Sequence, residues 1–159
     1  LVNNASTFYP TPLGEVTEAD WDDLVGSNFK APLFLSQAAA ASLRERRGSI
    51  VNIVDIHALR PLSKHLVYSP AKAGLAMLTR ALAKELAPHV RVNGVSPGAI
   101  LWPEGDMSAA TKASILDQVP LARAGAPGDI AGCVLYLVRD ATYVTGQIVA
   151  VDGGRSIGW

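Results

Sequence analysis

Cysteine is almost absent from this chain: Cys133 is the only one in 159 residues, which excludes an internal disulfide and points to a reducing, cytoplasmic setting. An excess of either charge is missing too, with 14 basic against 14 acidic side chains. Without a cationic block, affinity for nucleic-acid phosphates or an anionic membrane surface is not expected, and small molecules or proteins are the natural partners. No run approaches the roughly 18 apolar residues of a membrane span. An initiator Met is lacking, as is a charged segment of the kind that opens a signal peptide; the chain starts inside an apolar pair, Leu1-Val2. The expectation is a single domain over residues 1–159 that forms the later part of something longer.

What is present alternates between two periods. Leu1-Val2 reads as the end of a buried strand running into the loop residues Asn3-Asn4-Ala5-Ser6. Thr17 caps a helical pattern through Trp21, Leu24, Val25, Phe29 and Leu33 to Ala41, which Pro32 should divide. Ser49 to Val54 is β-branched, as in a fully buried strand, and Asp55 sits just past its end. A helix is expected from Tyr68 to Leu86, a strand from Val90 to Val95, helices over 112–119 and 129–138, and a last strand from Thr145 to Val151. Strands alternating with helices imply an open α/β sheet of parallel strands, whose ligands lie beyond the carboxyl ends. Those ends carry Asn3 to Ser6, Asp55, Ser96 to Ala99 and Asp152 to Gly154.

The chemistry concentrates in Tyr68-Ser69-Pro70-Ala71-Lys72, where a phenol and an ammonium lie one helical turn apart on one face. A phenol titrating near 10 needs a neighbouring cation to work as an acid or base at neutral pH, and Lys72 is placed to lower its pKa. Asp55, 13 residues upstream at a strand end, can be brought beside the phenol.

With Asn28, Asn3-Asn4-Ala5, Val92 to Gly98, and Thr145-Gly146 leading to Asp152-Gly153-Gly154, this set resembles the short-chain dehydrogenase/reductase family over essentially the whole chain. The resemblance implies a Rossmann-like doubly wound parallel sheet, incomplete here, since no G-x-G-x-x-G turn or near equivalent precedes the Asn-Asn-Ala loop. Only the second half is expected, with the N-terminal strands elsewhere, one sheet edge open, and the isolated piece inactive. The family's usual Ser is replaced by Asp55. That exchange, Asn3 to Leu13, and Val119-Pro120-Leu121 with Arg123 are similar to pteridine reductases, which reduce pterins and folates with NADPH. The resemblance implies catalytic roles for Tyr68, Lys72, Asp55 and Asn28, the last holding a relay water. It implies cofactor contacts at Asn3, Ala5, Ser6, Tyr68, Lys72, Pro97, Gly98 and Ala99, and substrate contacts at Ser6, Phe8, Asp55 and Tyr68, with Phe8 stacked on the pterin. It also implies a homo-oligomer, commonly a tetramer.

Other readings stay open. A carbonyl substrate (3-oxoacyl, sugar or steroid) fits the same Tyr and Lys, and an inactive oligomerisation module fits the missing half. Phe8 can plug a core, Asn3 and Asn4 can serve as turn residues, and Trp102 either covers substrate within the 100–109 loop or fixes that loop. The C-terminal Ser156 to Trp159 can reach an adjacent subunit. His57 and His65 flank the site, but with no third ligand at useful spacing no metal is expected. Gly153-Gly154 reads as structural, because no helix starts after it.

Overall fold

The computed structural model describes residues 1–102 and 107–157. Residues 103–106 of the 100–109 loop, and Gly158 and Trp159 of the C-terminal segment, lie outside the described residues.

Four strands pair in parallel in the order β1 (Val2–Asn3), β2 (Ser49–Ile53), β3 (Arg91–Pro97), β4 (Ile148–Val151). The registers Val2 with Val51, Ile50 with Val92, and Val95 with Val149 bring all four carboxyl ends to one edge. Alternation within β2 and β3 supplies both faces. Ile50 and Val92 pack on Ala83 and Leu86 of α3 (Tyr68–Leu86), with Ala40 and Leu43 of α2 (Ala31–Glu45) closing that layer. Val51 and Val95 point the other way onto Leu137 of α5 (Pro127–Arg139). The expected buried, parallel α/β sheet is therefore present, helices covering both faces.

A polar chain runs through the α3 face. Asn3 Nδ2 donates to Asn52 Oδ1 at 2.7 Å, and Asn52 Nδ2 donates to Thr79 Oγ1 at 2.9 Å. Thr79 in turn donates to the Leu75 carbonyl at 2.8 Å. Paired in this way, three buried polar side chains avoid most of the cost of desolvation.

The first helical pattern divides earlier than Pro32. α1 (Glu18–Val25) opens on a capping box in which Thr17 Oγ1 accepts the Asp20 amide at 3.2 Å and Asp20 Oδ2 accepts the Thr17 amide at 2.9 Å. It then widens into a π-helical turn over Gly26–Lys30, and Pro32 sits in the first turn of α2. The widening is held by Asn28, whose Nδ2 donates to the Leu24 carbonyl at 2.9 Å.

Several boundaries differ from the sequence pattern, α5 for one running from Pro127 to Arg139 and not over 129–138. α4 covers Ala109–Leu116 rather than 112–119, because Ser108 caps it by accepting the Thr111 amide at 3.1 Å. β3 continues to Pro97. β4 begins at Ile148 and not Thr145, since Thr145 Oγ1 accepts the Val92 amide at 3.0 Å and Gly146 turns with φ of +73°.

At the carboxyl edge two loops are pressed together. A Cβ on Gly98 would lie 2.7 Å from the Asp152 Cα, so only glycine lets the end of β3 meet the end of β4. Gly153 and Gly154 both have positive φ, and Asp152 accepts the amides of Gly154 and Ser156 at 2.9 and 2.7 Å. The structural reading of that pair fits this geometry.

Candidate active site

Asp55 leaves β2 with extended backbone and caps the short 3₁₀ turn Ile56–Ala58, its Oδ1 accepting the His57 amide at 2.8 Å. Its other oxygen faces α3. Tyr68, the first residue of α3, donates its phenolic O–H to Asp55 Oδ2 at 2.7 Å. Lys72, one turn on, places Nζ 5.7 Å from the centre of the Tyr68 ring and donates to the Ile53 carbonyl at 3.0 Å. The strand end and the helix start thus bring together the three residues that the sequence singled out.

Both titratable groups of the helix feel their burial. The Lys72 ammonium, 2% exposed, is pushed down to about 8, desolvation outweighing the attraction of Asp55. Tyr68 is raised far above the ordinary phenol value, first by burial, then by the charge of Asp55 and its hydrogen bond, with Ser6 pulling the other way. This corrects the expectation that Lys72 lowers it: burial and the Asp55 carboxylate set the direction.

Ser6 and Asn28 also meet. Ser6 Oγ donates to Asn28 Oδ1 at 2.6 Å, while Asn28 Nδ2 donates to the Thr7 and Leu24 carbonyls, each at 2.9 Å. The Asn28 side chain is thereby committed to holding the 6–7 loop against the π-helical turn. Phe8 stands edge-on to Tyr68 at 4.8 Å between ring centres and remains 42% exposed. It is not a core plug.

Its support is a residue whose contact the sequence did not reveal. The buried His65 ring stacks on Phe8 at 4.8 Å with 16° between planes. The loop carrying it is tied to the Phe8 loop, since the Thr11 amide donates to the Lys64 carbonyl at 2.6 Å and Thr11 Oγ1 accepts the Val67 amide at 3.2 Å. No spacing rule links positions 8 and 65, so only an observed loop contact reveals the pair.

The remaining predicted positions are more dispersed. Ala5 is exposed, while Asn3 turns its side chain into the core, leaving Oδ1 buried without a partner among the described residues. Pro97, Gly98 and Ala99 line the end of β3. Trp102 lies under Lys112, whose Nζ is 5.8 Å from the indole centre. His57 donates its Nδ1–H to the Arg60 carbonyl at 2.9 Å. No group of metal-ligating side chains occurs among the described residues.

A phenol hydrogen-bonded to a carboxylate, with an ammonium one turn along and a flat ring at its edge, is equipped to deliver a proton to a bound organic substrate. Comparison with known proteins places this arrangement. Residues 1–156 match a protein-family model described as enoyl-(acyl carrier protein) reductase. The chain belongs to the short-chain dehydrogenase/reductase family.

Among its relatives, pteridine reductase 1 of Leishmania tarentolae is 40% identical over 99% of this chain and 62% of its own length. L-xylulose reductase of Caenorhabditis elegans is 36% identical, covering 98% and 65% respectively. The 3-oxoacyl-acyl-carrier-protein reductase of Thermotoga maritima is 35% identical, covering 99% and 65%. A solved structure from Sinorhizobium meliloti 1021, assigned to the short-chain alcohol dehydrogenases, superposes with a TM-score of 0.92 at 33% identity over 99% of this chain and 65% of that one. The chain therefore spans a little under two thirds of the length of the relatives it matches.

Proposed function

We propose that the protein is an NADPH-dependent reductase of pterins or dihydrofolate, of which residues 1–159 form one domain segment. The observation that carries this reading is the 2.7 Å hydrogen bond between Tyr68 and Asp55, beside the half-exposed ring of Phe8. A serine suffices to hydrogen-bond a carbonyl or alcohol oxygen, whereas a ring nitrogen must receive a proton, and a carboxyl group can supply one. Phe8 offers a face to a flat heterocycle.

The residues present fit the nicotinamide end of a dinucleotide. Lys72 spends one N–H on the Ile53 carbonyl, which leaves two donors without protein partners among the described residues for ribose hydroxyls. Pro97 and Gly98 lie at the carboxyl end of the neighbouring strand, β3. The sequence has no G-x-G-x-x-G turn of the kind that receives a pyrophosphate. When bound, the cofactor supplies the hydride that adds to the carbon of a ring C=N bond.

The side chains manage the proton. Tyr68 gives its O–H proton to the ring nitrogen, so that carbon and nitrogen gain one hydrogen each. A phenolate beside a charged carboxylate is unfavourable, as the raised Tyr68 value reflects; Asp55, hydrogen-bonded to the phenol, is placed to relay a solvent proton to it as it empties. Asp55 is only partly buried and can take its proton from solvent. Ser6 and Asn28 hold the loop on which Phe8 stands.

A second reading, reduction of a carbonyl, is favoured by the 35–36% identity to a 3-oxoacyl reductase and a xylulose reductase. Asp55→Ser in the full-length protein separates the two. Under the pterin reading, turnover of 7,8-dihydrobiopterin falls by about 100-fold or more, the scale of a lost general acid. Retained turnover, or a gain with a 3-oxoacyl thioester, overturns it.

A further inference from the structure

Arg155 follows the glycine pair after β4 and entered none of the assignments above. It is only partly exposed, and its Nε is shut away from solvent with no hydrogen-bond partner. No hydrogen bond or ion pair joins its guanidinium to any described residue, although its charge is near enough to interact with both Asp55 and Asp152. Asp152 makes no ion pair with it, its two carboxylate oxygens being turned to the amides of Gly154 and Ser156. Asp55 is likewise engaged through both oxygens, by the His57 amide and the Tyr68 hydroxyl.

The arginine is thus carried to the carboxyl edge of the sheet by a rigid turn and is partly desolvated with no acceptor among the described residues. A buried donor left unpaired is costly, and guanidinium groups are suited to planar oxygen acceptors. The turn itself is fixed by the contact of Gly98 with Asp152 and by positive φ at both Gly153 and Gly154. Those restraints argue against a side chain that merely trails in solvent.

We propose that Arg155 is a ligand-binding residue of this site, whose guanidinium takes an oxygen acceptor of the bound substrate, a ring carbonyl or a carboxylate. It would set specificity by rewarding substrates that bear such an oxygen on the side facing β4. The proposal deepens the pterin reading but does not need it, since a 3-oxoacyl group also carries carbonyl oxygens.

The test is labelling of the full-length protein with phenylglyoxal, followed by peptide mapping of Arg155. Labelling is compared without ligand and with NADP⁺ plus biopterin, folate or an acetoacetyl thioester, binding of each being followed separately by tryptophan fluorescence. Arg155 is expected to react in the free protein and to be protected at least 10-fold by a bound ligand. Protection by biopterin and folate identifies a ring carbonyl, and protection by folate alone identifies its tail carboxylate; both support the proposal. Protection by the thioester alone supports it while overturning the pterin reading. An Arg155 that is unreactive in the free protein, or labelled equally with every ligand and with none, overturns it. As an independent check, Arg155→Met should weaken the protecting ligand's binding at least 10-fold, with Arg155→Lys intermediate; unchanged affinity in both variants overturns the proposal.

Discussion

Tyr68 and Lys72 sit one turn apart on α3, yet burial acts on them in opposite senses. For Tyr68 the raised value keeps the phenol protonated at every working pH, so Tyr68→Phe removes the proton and not merely a contact. In the full-length protein, kcat for dihydropterin should fall by about 100- to 10,000-fold with ligand affinity nearly kept; steady-state kinetics with a binding titration checks both. For Lys72 the folded value of about 8 lies below the ordinary 10.5. Between these two pH values the unfolded chain binds a proton that the folded chain does not, so stability should climb as pH rises through that window. Below about 8 both states are charged and the burial penalty is present in full. Urea midpoints at pH 7.5 and 10 in the wild type and Lys72→Met should show that rise only in the wild type. Under the proposed function the opposite trend holds for NADPH: its affinity should fall above about pH 8, as the ammonium that faces the ribose is lost.

At the scale of elements, one side chain ties the end of α5 to the sheet. Arg91, at the start of β3, donates to the carbonyls of Leu137 and Val138 in the last turn of α5, and to that of Ala141, which also accepts the Val144 amide. Arg91→Met keeps the aliphatic stem but strands the Leu137 and Val138 carbonyls, and should cost about 1–3 kcal/mol, read from denaturant unfolding. The sequence announced most elements through their period. The β-branched run expected over Ser49 to Val54 forms β2, ending one residue earlier at Ile53, and the Ala- and Leu-rich Tyr68 to Leu86 stretch forms α3 as expected, because propensity, burial pattern and end signals agree there. The division of the first helix did not fall where expected. Pro32 drew attention as the breaker, while the actual widening is set by an asparagine bonding back to the Leu24 carbonyl, a local competition that hydrophobic spacing does not record. The same holds for the site: Asp55, Tyr68 and Lys72 were legible from one strand end and one helical turn, whereas the His65 ring behind Phe8 and the inward arginine at 155 depend on loops folding against each other.

For the molecule as a whole, the open flank of the sheet dominates behaviour. β1 is two residues long, pairs only with β2, and leaves Val2 nearly half exposed. Beside it a cavity of about 620 Å³ is lined by Ile53, Ile130, Val134 and Val138. An unprotected edge next to apolar side chains recruits other chains. Residues 1–159 expressed alone should therefore elute larger than 16.7 kDa, and Val2→Lys should shift the distribution toward monomer in size-exclusion chromatography with light scattering. The opposite end of the strands has a different character. The β2–β3 ladder closes at Ile53 and Val95, and Asp55 lies two residues beyond it, bonded among the described residues to a turn amide and to Tyr68. Exchanging that residue removes no strand pairing and opens no cavity in the core. Under the proposed function, the position that selects the substrate is therefore one whose exchange costs the fold only a turn cap, so reactivity can change while the sheet and its core stay as they are.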